Sequence, residues 1–177
     1  MSRTLTITPR SAIPLLVLLL LALGAVGVSK PVLQKSTPTL CAADEQIIFS
    51  CPIKRSAKIV SLCASQNLTK QTGYLLYRFG LPGKIELEFP QSRSGSQQLF
   101  QYSHYFRAQF DQTGITFANG GYEYTIFHDY NGEEKPAIEE SGVRVTASGK
   151  ETSLICASKP KVSLGNLEDV LPQAPDK

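Results

Sequence analysis

The chain has 177 residues, 42% of them hydrophobic and 19% charged, with four cysteines and no tryptophan. That is long enough for one domain with a core of its own. Lys and Arg number 18 against 15 Asp and Glu, a net charge of +3; setting aside Arg3 and Arg10 leaves 16 against 15, or +1, which excludes the broad basic face that nucleic acid requires.

The first segment is not part of the expected core. Arg3 and Arg10 precede the uncharged run "AIPLLVLLLLALGAVGV", Ala12 to Val28, which ends in small residues. This pattern predicts a secretory signal peptide over 1–27, with cleavage near Gly24 or Gly27. The apolar run is shorter than the roughly 20 residues a spanning helix needs. Membrane attachment is therefore expected only if the signal stays uncleaved as an anchor. Leu40 before Cys41, well past the apolar run, does not suit a lipid-accepting cysteine. The expected location is the periplasm or the exterior of the cell. Residues 28–43 carry two prolines and no periodicity, and are expected to be a linker.

From Glu45 the period becomes two, the signature of a half-buried strand. Ile47, Phe49 and Cys51 share one face of "EQIIFSC", and Ala57, Ile59, Ser61 and Cys63 share one face of "AKIVSLCA". Between them "KRSAK", Lys54 to Lys58, is locally basic and reads as a solvated turn. The Pro-Gly turn "LPG" joins "GYLLYRFG" to "KIELEFP", where Ile85, Leu87 and Phe89 alternate with charges. In "LFQYSHYFRAQF", Phe100, Tyr102, His104, Phe106 and Ala108 fall on one face. Next comes a hairpin with strands at about Ile115–Ala118 and Tyr122–His128, turning at Asn119-Gly120. "NGEEKPAIEESG" reads as an acidic loop, and "VRVTASGKETSLICA" as a last hairpin around Ser148-Gly149. The tail, 159–177, is expected to be mostly irregular, with one helix-like stretch from Leu167 to Leu171. The expected fold is all-β: an antiparallel meander of about eight or nine short strands over 44–158, forming a small barrel or sandwich tied by disulfides.

Cys41, Cys51, Cys63 and Cys156 are even in number and follow an export signal, so they are expected to be oxidised in pairs. Zinc ligation would want close-set cysteine pairs, which the chain lacks. With the first hairpin centred near Lys54, Phe49 faces Ile59, Cys51 faces Ala57 and Cys63 faces Glu45. Cys51 and Cys63 then stand about 20 Å apart at about 3.3 Å per residue, too far for a bond that needs Cα atoms within about 7 Å. Cys41–Cys51 fails by similar arithmetic if the chain before Cys51 is extended. Elimination leaves Cys41–Cys63 and Cys51–Cys156.

Candidate chemistry is thin. "DYNGEE", Asp129 to Glu134, alternates acidic residues and Asn, but Gly132 stands fourth rather than sixth as a calcium loop of the helix–loop–helix kind requires. Glu133/Glu134 and Glu139/Glu140 are carboxylate pairs that solvation explains. His128-Asp129 could be part of a catalytic triad, yet no Ser in a G-x-S-x-G elbow accompanies it. His104, within its aromatic face, reads as a core histidine. Seven tyrosines, at 74, 77, 102, 105, 122, 124 and 130, suit strands and could also line a ligand groove or an interface. Asn67–Thr69 matches a glycosylation sequon. No catalytic residue, no metal ligand and no cofactor is expected.

Taken together, "FSCPIKRSAKIVSLCAS", "GYLLYRFGLPGKIELEFP", "YSHYFRAQ", "NGGYEYTIFHDYNGEEKPA" and "GVRVTASGKETSLIC" resemble an uncharacterised family of small exported bacterial β-rich proteins. The resemblance covers nearly all of the chain after the signal; it implies a secreted or periplasmic protein and brings no activity with it. A second resemblance is architectural. An F-x-C near the mature N-terminus, short alternating strands and a late cysteine are similar to the periplasmic inhibitors of c-type lysozyme, whose inhibitory residues have no counterparts placed here.

The resulting functional expectation is an exported, non-enzymatic binding module that acts through its surface on a protein or an envelope polymer. The alternatives are a small-ligand carrier with an aromatic-lined interior, or a protein like the lysozyme inhibitors. A hydrolase using His128, Asp129 or the acidic loop ranks after these.

Overall fold

The computed structural model describes residues 37–175. The expected signal peptide at 1–27, and residues 28–36 of the expected linker, lie outside the described residues. Ten strands follow one another: β1 (Glu45–Pro52), β2 (Ile59–Ser65), β3 (Leu75–Leu81), β4 (Lys84–Phe89), β5 (Gln101–Arg107), β6 (Phe110–Asn119), β7 (Tyr122–Asn131), β8 (Ile138–Ala147), β9 (Lys150–Ile155) and β10 (Lys161–Val162). They form two five-stranded antiparallel sheets. The first runs in the order β10-β1-β2-β3-β4 and the second in the order β5-β6-β7-β8-β9. The tenth strand is a two-residue addition from the tail, which no periodicity could announce.

The inner faces of both sheets share one core. Phe49, Leu62 and Tyr77 come from the first sheet, and Ile115, Phe117, Ile126 and Val143 from the second. Its centre is aromatic. Phe117 stacks on Phe89 at 4.5 Å and on Tyr124 at 4.9 Å, with Tyr77 at 4.9 Å and Phe100 at 5.3 Å. Burying each such ring stabilises the fold by about 1.5–3 kcal/mol. A single antiparallel bridge from Ile53 to Cys156 connects the end of β1 to the chain after β9.

The first hairpin differs from the expected register. Its turn spans Lys54–Lys58, with the Ile53 amide bonded to the Lys58 carbonyl and Arg55 at a φ of 61°. Cys51 therefore faces Val60 rather than Ala57, and Cys63 faces Ile47 rather than Glu45. A β-bulge between Ile47 and Phe49 sends Ile47 outward while Phe49 stays in the core, so the three residues Ile47, Phe49 and Cys51 do not share a face. The β6–β7 turn is shifted by one residue from the expected Asn119-Gly120. Gly120 and Gly121, at φ of 60° and 82°, are its two central residues, and a primed turn requires positive φ at both. The expected acidic loop is shorter than its sequence suggests, because Ile138, Glu139 and Glu140 already belong to β8.

Two segments expected to lie loose are fixed. Residues 38–41 strap the outer face of the first sheet. The Ser50 hydroxyl donates to the Pro38 carbonyl at 2.8 Å, the Leu40 amide donates to Ser61 Oγ at 2.9 Å, and Arg78 donates to the Leu40 carbonyl at 3.2 Å. Cys41 is bonded to Cys63, with a Cα separation of 5.4 Å. Under this strap β2 is buried at every position. The tail docks as well. After β10 pairs with Phe49 and Ser50, Leu164, Leu167 and Leu171 enter the core, a spacing that puts them on one side of a helical turn. The Tyr102 amide then donates to the Pro172 carbonyl at 2.8 Å, and the Ala174 amide to the Tyr102 carbonyl at 2.7 Å.

Candidate functional site: the overhang of the second sheet

The second sheet is longer than the cover the first provides. Cross-strand neighbours lie on the same face of a sheet, so the register lays out its rows. The row Tyr102, Ile115, Ile126 and Val143 is buried in the core. Two rows further along the same face comes His104, Thr113, His128 and Ser141, then Phe106, Asp111, Tyr130 and Glu139. These are the face of a core that has run past its cover. Phe106 is 70% exposed, and Tyr130 is exposed as well.

Both histidines of the chain lie on this overhang. His104 is not a core histidine. It is exposed and stands outside the core cluster, and its Nε2 meets Asp111 Oδ1 at 3.1 Å. His128 Nδ1 lies 2.7 Å from Ser141 Oγ, while its Nε2 is 3.9 Å from Glu139. Lys159 Nζ approaches Glu139 at 3.7 Å from the other side. Beside them an open recess of about 240 Å³ is lined by Glu139, Ser141, Cys156, Lys159 and Pro160. The surface thus presents two aromatic rings among charges of both signs.

The other sequence candidates are dispersed by strand geometry. Asp129 follows His128, so it points to the opposite face, where Arg144 pairs with its Oδ2 and stacks over Phe127 at 3.7 Å from the ring centre. Glu133 is taken by a bidentate contact from Arg107, which holds its carboxyl below the usual range. Glu139 and Glu140 are split between the two faces. Ser141, Asp111 and Lys159 join the overhang without having been singled out in the sequence; only the register shows that they are neighbours.

Ser141, His128 and Glu139 stand in the order of a hydrolytic relay, but the surroundings do not suit acyl transfer. Ser141 is 5% exposed and sits inside β8, which is paired to β7 on one side and to β9 and Cys156 on the other. A hydroxyl this buried, inside a paired strand rather than on an exposed turn, is not presented to a substrate.

The most buried polar cluster lies on the strapped face of the first sheet. The Glu45 side chain is wholly buried. It accepts from Arg78 Nη1 at 2.5 Å and Nη2 at 3.1 Å, and from the Ala42 amide at 2.7 Å. Burial raises the Glu45 carboxyl, and Arg78 with the Ala42 amide more than offsets it, leaving it below its ordinary value. Arg78 is shared with Glu88 at 2.6 Å. Glu45 also stands near Cys41 and Cys63, a grouping with metal-like spacing. Both sulfurs are consumed in their disulfide, and the carboxylate is neutralised by Arg78, so this cluster is built to hold the strap rather than an ion.

The tyrosines divide by depth. Tyr77 and Tyr102 are buried, and burial pushes both hydroxyls up in pKa. The space between the sheets that a small-ligand carrier would need is occupied by Tyr77, Phe89, Phe100, Phe117 and Tyr124 in mutual contact. The second disulfide, Cys51–Cys156, joins β1 to the chain after β9 beside the Ile53–Cys156 bridge, with a Cα separation of 5.6 Å. Two disulfides indicate an oxidising, extracytoplasmic location. Among the described residues no helix is long and apolar enough to cross a membrane. No protein-family model, no curated protein and no solved structure matches the chain.

Proposed function

We propose that this is a periplasmic or secreted binding module, without enzymatic activity, that recognises a protein through the overhang of its second sheet. The observation that carries the reading is the row Phe106, Asp111, Tyr130 and Glu139, a solvent-exposed continuation of a core face. Exposed aromatic rings ringed by charges of both signs suit a protein interface, whose centre favours aromatics and whose rim is polar. An envelope polymer is the second outcome to be tested. The disulfide-tied scaffold and the docked strap and tail supply a rigid platform that loses little entropy on binding.

The test uses the exported, oxidised protein as bait in envelope extract, beside a Phe106→Ala/Tyr130→Ala variant. A protein retained by the native bait and lost with the variant supports the reading. Retention unchanged in the variant, or co-sedimentation with purified cell-wall polymer in place of any protein, rejects it. For the carrier alternative, native mass spectrometry that reveals a co-purified small molecule would displace the surface reading.

A further inference from the structure

We infer that β5 is a dimerisation edge: two copies of the chain pair β5 with β5 in antiparallel fashion, fusing their second sheets into one ten-stranded sheet. The inference concerns the backbone edge and holds whether or not the overhang recognises a protein. Among the described residues β5 is an outer strand, paired along its length with β6 and bridged at Tyr102 to Gln173 of the tail. Tyr102 turns its amide and carbonyl away from β6, to the tail at Pro172 and Ala174. By strand alternation, His104 and Phe106 turn theirs the same way. Among the described residues these two amides and two carbonyls have no backbone partner.

The four free groups select one register. Tyr102 is already occupied by the tail and β5 ends at Arg107, so a two-fold axis at Tyr105 alone satisfies all four. His104 then exchanges both hydrogen bonds with Phe106 of the second copy, and the reverse holds by symmetry. Side chains fit the same register on both faces. On the overhang face, Phe106 is covered by His104 of the second copy. On the other face, Tyr105, itself exposed and packed edge-on against Phe110 at 5.9 Å, meets its own counterpart. Arg107, the one charged residue of the strand besides the titratable His104, lies opposite Ser103 and stays far from its symmetry mate.

The other edges are protected against such pairing, as exposed edges usually are. β4 carries Lys84, Glu86 and Glu88, β9 carries Lys150 and Glu151, and β10 is two residues long. β5 has no lysine, no proline and no acidic residue. Beyond the tail's cover at Tyr102, the stretch from Ser103 to Phe106 carries none of these devices.

The experiment is sedimentation velocity of the purified oxidised protein alone, from low to high micromolar concentration. The expected result is a concentration-dependent species of twice the protomer mass. His104→Pro removes one outward-facing amide without touching the β6 ladder, so it should fold and sediment as a monomer throughout. Tyr105→Cys should form an intermolecular disulfide, because non-hydrogen-bonded antiparallel partners stand about 4.5 Å apart, within disulfide reach. Phe106→Cys, facing His104, should not. A monomer at every concentration, a dimer that persists in His104→Pro, or linkage through Phe106→Cys in place of Tyr105→Cys would overturn the inference.

Discussion

Cys51 and Cys63 stand on one hairpin yet point to opposite sides of the first sheet. Cys51 lies opposite Val60, and Cys63 is three residues beyond Val60 on the same strand. An odd step along a strand reverses the face, so Cys51 points into the core toward Cys156 and Cys63 points out to Cys41 under the strap. The first bond therefore joins the two sheets, whereas the second anchors the N-terminal segment.

The two bonds should differ in their effect on stability. Cys51–Cys156 spans 105 residues and Cys41–Cys63 spans 22. In the loop-entropy model these correspond to about 5 and about 3 kcal/mol. Chemical denaturation of Cys51→Ala/Cys156→Ala should give the larger loss, and Cys41→Ala/Cys63→Ala the smaller. A larger loss from the second pair would mean that the strap carries more of the fold than its short loop implies.

Glu45 should make the protein acid-sensitive. Its carboxyl titrates below its ordinary value near 4.5, so its contribution is complete above that pH and is lost as pH falls through the lowered value. Glu45→Gln leaves Arg78 paired with one carboxylate, the partly exposed Glu88, and should cost about 3 kcal/mol at neutral pH. The measurement is unfolding free energy against pH. The native protein should lose stability steeply below about pH 4.5, and the variant much less. Parallel curves would mean that the buried pair does not govern acid unfolding.

Gly142 should tolerate no side chain. An added Cβ would stand 2.1 Å from the carbonyl oxygen of Leu154, a backbone atom that cannot rotate aside. Gly142→Ala must displace β9 from β8, with a cost of about 1–3 kcal/mol. A thermal scan that matches the native protein would show that β9 shifts freely.

Phe106 should be dispensable for folding. It contributes little to the core, so Phe106→Ala should change stability by no more than about 0.5 kcal/mol. Phe117→Ala, at the centre of the aromatic stack, should cost about 3–5 kcal/mol. Equal losses from the two substitutions would show that the overhang is part of the core.

Most of the strands, some of their turns and the oxidised state were legible in the sequence, because each rests on a local rule. Period-two alternation announces a strand, Pro-Gly and Ser-Gly mark tight turns, and an even set of cysteines implies staples. Alternation cannot say which alternate rows are covered. His104 and Phe106 follow the same pattern as Tyr102, yet only Tyr102 is buried, at the point where it joins the core and pairs with the tail. One bulged residue at Ile48 reversed a face that the pattern assigned with ease. Leu164, Leu167 and Leu171 carry too short a signal to predict docking, but the open end of the core gives them a place. The overhang is a difference between the lengths of two sheets remote in sequence, so only their packing could create it.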